Sequence, residues 1–229
     1  MPDLSRTVED RKILQEIASP AAIALIGDSK AFKRAVNHLV KSDPLLAKVI
    51  KAHGPMEFSP EGEIFQSLVE SILTQQLAWP AASAIIRRVK ELYAKGIIDP
   101  ESLYRTPVSK LRKAGVSPQK IRYLKDLSKR VVKGKLDLPQ LNTEADQQII
   151  EALDEVLGIG PWTAHMLLIF TLGRSDVLPV DDLGIRKAIQ LIYSLPELPK
   201  AKEIQELAKN WHPYCSVASL YLWKYKDSL

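Results

Sequence analysis

Apolar positions recur along most of the chain at spacings of one, three and four. In EGEIFQSLVESILTQQL, for example, Ile64, Phe65, Leu68, Val69, Ile72 and Leu73 fall on one side of a helix. Strict apolar–polar alternation, the mark of a half-buried strand, is scarce. The punctuation is helical as well. Thr106 before Pro107 and Ser117 before Pro118 read as N-caps followed by proline in the first turn. Gly96, Gly115, Gly134 and Gly173 stand where helices end. The pattern predicts an all-α chain of about nine or ten helices with short links, no low-complexity linker and no repeat period. Glycine and proline interrupt it at KAHGPMEFSPEG (51–62) and again at SLPELPKAK (194–202), which mark candidate boundaries.

Composition narrows the class. A chain of 229 residues with 46% hydrophobic content can bury a substantial core. No run of roughly 18 apolar residues suggests a membrane span. Lys plus Arg total 32 against 27 Asp plus Glu, and the resulting charge of +5 favours a polyanionic partner without requiring one. Cys215 is the single cysteine, which excludes an internal disulfide, a four-cysteine zinc site and a four-thiolate iron–sulfur cluster. The opening MPDLSRTVEDRKILQEI mixes acids and bases where a secretory leader would run from basic to apolar. An intracellular location is expected, cytoplasm or nucleoid in a prokaryote and nucleus in a eukaryote. His38, His53, His165 and His212 are scattered without ligand spacing, so no transition-metal site is expected.

The candidate chemistry begins at LGIGPWTAHMLLIF, residues 157–170. The preceding NTEADQQIIEALDEVL reads as an amphipathic helix with Ile149, Ile150, Leu153, Val156 and Leu157 on one side, and Pro161 suits the first position of the next helix. GIG is then a hairpin between two helices, with Gly158 and Gly160 able to adopt positive φ and to let another backbone approach. The second helix offers unpaired amides and the positive end of its dipole, which together make an anion site. A dinucleotide fingerprint would need a preceding strand and a glycine at Thr163, and has neither. The alternative is a tight turn with no ligand. Downstream, LPVDDLGIRKAIQLIY places Asp181 and Asp182 after a proline at the start of a helix. One carboxylate there is an ordinary cap; two exceed what a cap needs, and negative charge at a helix N-terminus could face developing positive charge on a substrate.

The ordered set LGIGPWTA, a second helix and LPVDDLGIR resembles the helix-hairpin-helix (HhH-GPD) DNA glycosylase superfamily, in particular its compact DNA-3-methyladenine glycosylase II type. The likeness runs from about Ile64 to Trp223 and takes in SILTQQLAWPAASAI and HPYCSVASLYLWKY. It implies one unit of two helical lobes with DNA across the cleft between them. The first lobe would hold about 1–60 and 195–229, the second about 61–194 with the hairpin at 148–171. It implies a monofunctional enzyme of base excision repair that flips an alkylated purine such as 3-methyladenine or 7-methylguanine out of duplex DNA, hydrolyses its N-glycosidic bond and leaves an abasic site.

By the same resemblance Asp182 is the catalytic carboxylate, stabilising oxocarbenium-like charge and directing a water, with Asp181 in support. Trp162 and Trp223 line the base pocket, where cation–π attraction to a cationic base is worth about 0.5 to 2 kcal/mol each; read on its own, each Trp is more readily a core residue. Gln76 and Met166 join the pocket, Met166 at a position that is tyrosine in some relatives. Leu77 is the wedge that fills the gap left by the flipped base, followed by Ala78 where some compact relatives have histidine; read on its own, Leu77 continues an apolar helix face. Gly158, Ile159, Gly160 and Thr163 hold a DNA phosphate. Lyase members carry lysine where this chain has Trp162, so no Schiff-base step is expected. No cofactor is required, although sodium or potassium can sit on the hairpin carbonyls in relatives. Double-stranded DNA with alkylated bases is the expected partner, with no membrane, no obligate protein partner and a monomeric state. Lys120, Arg122, Lys125, Lys129, Arg130, Lys133 and Lys135 form a basic helix that either meets phosphates or is a solvated face. The alternative to the enzyme is a non-catalytic helix-hairpin-helix DNA-binding protein or damage sensor, and beyond that a helical interaction protein. Asp182 argues against the DNA-binding or sensor reading, since phosphate binding gains nothing from a carboxylate, and a steep loss of DNA binding with added salt would separate both DNA readings from the interaction protein.

Overall fold

Caps and breakers divide the chain into thirteen α-helices among the residues that the structure, a computed structural model, describes: residue 26 and residues 29–229. The opening stretch 1–25, part of the first predicted lobe, lies outside them. Asp43 separates α1 (Ser29–Ser42) from α2 (Pro44–His53), its carboxylate accepting the Leu45 and Leu46 amides at 3.0 Å. Then follow α3 (Ile64–Thr74), α4 (Trp79–Lys90), α5 (Pro100–Arg105), α6 (Val108–Lys113) and α7 (Pro118–Val132). After these come α8 (Leu138–Leu141), α9 (Asp146–Asp154), α10 (Pro161–Phe170), α11 (Leu183–Ile192), α12 (Ala201–Leu207) and α13 (Cys215–Asp227). No β-strand is present among the described residues. The helix count exceeds the sequence estimate because several helices are only four to seven residues long, too short to show a period.

The punctuation holds in most places. Ser117 caps α7 by accepting the Lys120 amide at 3.2 Å, with Pro118 at the first position. Thr106 does not cap α6: Pro107 occupies that position, while the Thr106 hydroxyl donates back to the Ser102 carbonyl at 2.7 Å. All six predicted apolar residues of α3 are buried.

Two packed groups emerge. α3 contacts α4, α7 and α10; α5 and α6 lie on α7; and α9 pairs with α10. In the other group, α13 lies against α1, α2 and α11. The chain crosses between the groups at 171–182, the link that ends in the aspartate pair. Arg174, buried in that link, donates to the Asn142 and Glu144 carbonyls and pairs with Asp146 at 3.3 Å. It fixes the link against the start of α9.

The basic helix α7 divides into two kinds of residue. The Lys120 ammonium donates to the Leu73 carbonyl at 2.7 Å, and that of Lys125 donates to the Leu103, Tyr104 and Thr106 carbonyls. Burial pushes both pKa values down. Arg130 pairs with Asp126 and Glu155. These three cations serve the fold, so for them neither the phosphate-facing nor the solvated-face reading holds.

Candidate active site and nucleic-acid interface

The hairpin is anchored from below. Ile149, Leu153, Val156 and Ile159 are buried, which plants the turn in the core, while Leu157 points away and is exposed, contrary to its predicted place on the apolar side. Gly158 has φ +80°, and a Cβ there would stand 2.1 Å from the Tyr123 ring. The close approach is therefore by a side chain from α7 rather than by another backbone. Gly160 is extended at φ −119° and serves as the N-cap of α10, so only one of the two glycines needs positive φ. No side chain caps α10, whose first turn includes the Trp162 and Thr163 amides. The Thr163 and Ile159 side chains are buried. Of the predicted phosphate contacts, Thr163 can offer only its backbone amide, and the Ile159 amide already donates to the Val156 carbonyl at 3.0 Å.

Beside the hairpin lies the 75–78 loop between α3 and α4. Gln76 adopts φ +56°, an uncommon conformation for a non-glycine residue and one that clusters at functional loops. Leu77 is 40% exposed and stands off the helix face it was read as continuing, and Ala78 is exposed as well. Gln75 donates its side-chain amide to the Gly158 carbonyl at 2.7 Å, joining this loop to the hairpin. A groove of about 550 Å³ runs between them, lined by Gln76, Leu77, Ser117, Lys120, Tyr123 and Gly158. Gln76 therefore faces this groove with Leu77. Next along the chain, Trp79 is 70% exposed, an outlying aromatic that the sequence reading passed over.

The two predicted pocket tryptophans converge on the predicted carboxylate. Asp182 is the N-cap of α11, its Oδ1 accepting the Ile185 amide at 2.9 Å. The same oxygen accepts the Trp223 indole N–H at 2.9 Å, and Oδ2 accepts that of Trp162 at 2.7 Å. Trp162 comes from the hairpin group and Trp223 from α13, so the carboxylate sits where the two groups meet. Trp162 is 47% exposed, which answers the core-residue alternative for this position. Trp223 is half-buried and stacks on Phe170, with ring centroids 5.7 Å apart and planes 28° apart. Phe170 and Gly184 are site residues the sequence did not signal. A Cβ on Gly184 would lie 3.0 Å from Asp182 Oδ1 and 3.2 Å from Trp223 Cδ1, so glycine permits the indole to reach the helix start. Asp181 is exposed, and its charge acts on His165 of α10, whose pKa is pushed down by burial and partly restored by that carboxylate. Met166 lies one turn after Trp162, half-buried against the core.

A carboxylate held by two indoles between two helical groups, beside a hairpin with free helix-start amides, defines a helix-hairpin-helix protein of the DNA glycosylase class. The HhH-GPD model, described as a superfamily of base excision DNA repair proteins, matches residues 69–213. The chain belongs to that superfamily. It is 29% identical over 219 residues to DNA-3-methyladenine glycosylase 1 of Schizosaccharomyces pombe, covering 95% of this chain and 91% of that one. Among solved structures, it is similar to a DNA-3-methyladenine glycosidase from Bacillus halodurans (TM-score 0.77, 40% identity, 84% of this chain and 88% of that one). It is also similar to the S. pombe 3-methyladenine DNA glycosylase in complex with abasic DNA (TM-score 0.74, 32% identity, 83% and 95%). No helix among the described residues is long and apolar enough to cross a membrane.

Proposed function

We propose that this protein is a monofunctional DNA glycosylase that releases alkylated purines from duplex DNA, acting inside the cell as a monomer. The observation that carries the reading is Asp182, held by Trp162 and Trp223 at 2.7 and 2.9 Å. Indole faces attract a purine made cationic by alkylation, and that base is already a good leaving group. The remaining need is a negative charge near the sugar as oxocarbenium character develops, together with a directed water, and Asp182 supplies both. The DNA would lie across the junction of the two helical groups, with the hairpin amides on one phosphate and Leu77 in the space of the flipped base. Trp162 stands where a Schiff-base lysine would be needed, so the product is an abasic site without strand cleavage.

No cofactor enters the bond-breaking step in this reading. Sodium or potassium suits the hairpin's donors, since the Val156 and Gly158 carbonyls each accept one N–H, from Ile159 and Gln75, and keep a second lone pair. Such an ion would orient the loop.

The test is base release from methylated duplex DNA by wild type and Asp182→Asn. Asparagine caps a helix as well as aspartate does, so the variant is expected to fold and to bind DNA. Release should drop by at least about a hundredfold. Binding without release by the wild type, on methylated, deaminated and etheno-modified DNA alike, would favour the damage-sensor reading.

A further inference from the structure

Outside the site, the chain brings together three metal-ligating side chains of different chemistry. His212 and Cys215 lie three apart just before and at the start of α13, and Asp176 sits in the link that leads to the aspartate pair. One ligand-capable atom from each lies within 4.8 Å of the others. His212 Nδ1 is 2.8 Å from Asp176 Oδ2 and 3.6 Å from Cys215 Sγ. The Cys215 backbone amide donates to Asp176 Oδ1 at 3.2 Å, which orients the carboxylate, and both of its oxygens lie close to His212 Nδ1, at 2.9 and 2.8 Å. We infer that Asp176, His212 and Cys215 form a binding site for a zinc-type divalent cation, completed by water on the exposed His212 side.

The donor set and the spacing both support this. Thiolate, imidazole and carboxylate together suit zinc, and three protein ligands plus water give its four-coordinate shell. Bond lengths of about 2.3 Å to sulfur and 2.0–2.1 Å to nitrogen put the two atoms about 3.6 Å apart in a tetrahedron. Sγ and Nδ1 already stand at that separation. The Nδ1 to Oδ2 distance must open by roughly 0.5 Å as the ion replaces the hydrogen bond, and the exposed His212 ring must turn to aim Nδ1 at the ion, since Sγ also lies 3.9 Å from Nε2. Ser216 N donates to the Ser175 carbonyl at 3.0 Å, Val177 N to Ser216 Oγ at 2.9 Å, and Ser175 Oγ to the Pro213 carbonyl at 2.9 Å, so both strands of the site are stitched together. Binding forms the sulfur–metal and nitrogen–metal bonds, releases the Cys215 thiol proton to water, and leaves the neutral imidazole with its proton on the solvent-facing Nε2 in place of the one shared between Nδ1 and Asp176. The ion would pin the link bearing Asp182 to the helix bearing Trp223, a structural role with no part in bond cleavage.

The test uses the whole protein, stripped by chelation and titrated with cobalt(II) as a spectroscopic probe and with zinc by calorimetry. One ion per chain is expected, with a thiolate-to-cobalt charge-transfer band that zinc abolishes and a zinc-dependent rise in Tm. His212→Gln changes a side chain that is 52% exposed, so its fold should persist while zinc affinity drops by more than about tenfold. Cys215→Ser should lose the charge-transfer band. The proposal is overturned if cobalt binds without that band, if wild type and His212→Gln bind zinc equally, or if stripped wild type binds no zinc at micromolar concentration.

Discussion

Asp182 receives three N–H groups from three separate places: its own helix, the hairpin helix and the last helix of the chain. The backbone bond is an ordinary cap, but the two indole bonds make the carboxylate's position depend on both helical groups. Trp162→Phe keeps an aromatic face and removes the donor to Oδ2. A hydrogen bond to a charged group is worth about 1.5–3 kcal/mol, so the single-turnover rate of base release should fall about ten- to a hundredfold. Affinity for abasic product DNA should hardly change. A wild-type rate in this variant would remove the N–H from any account of the chemistry. Trp162, Trp223 and Asp182 were legible in the sequence because each lies inside a short, distinctive stretch. Phe170 and Gly184 were not, since one looked like the end of an apolar run and the other like a spacer; only tertiary packing puts them against Trp223. Asp176, His212 and Cys215 escaped for a related reason: the histidines were compared only with each other, and the aspartate comes from a distant link.

Among the elements, α7 shows how far charge counting goes. Its cations sit at helical spacing, yet Lys125 spends its ammonium on the open carbonyls that end α5. Lys125→Ala leaves those carbonyls without their donor and is expected to cost about 1–3 kcal/mol, measured by urea unfolding. Lys129→Ala, on the exposed side of the same helix, should stay within about 0.5 kcal/mol. The Lys125 change should leave the salt dependence of DNA binding intact; a lowered slope would mean that this lysine reaches a phosphate after all. The sequence did disclose the helices themselves, because apolar periodicity, Ser117 and the terminal glycines act locally. It misread Thr106 and the conformation of Gly160, where the neighbouring proline decides the backbone and the cap residue alone does not.

For the whole molecule, the charge of +5 is modest, and at least three of the α7 cations are occupied within the protein. DNA affinity should therefore fall with salt along a log–log slope of about −3 to −5, equivalent to roughly three to five phosphates. Filter binding or fluorescence anisotropy across a salt series measures it, and a flat line would exclude a phosphate-gripping surface. The all-α class follows from many weak, consistent signals, and so survives individual misreadings, whereas two helical lobes were expected from the family resemblance alone. What no local signal conveys is how separate loops are joined. The Gln75 amide on the Gly158 carbonyl ties the projecting Leu77 loop to the turn that would hold the strand. On the proposed reading, a probing edge so tethered cannot advance or withdraw independently of the grip beside it. Inspection of successive base pairs then becomes a motion of one stiff blade, and its depth is set by where the backbone is clasped.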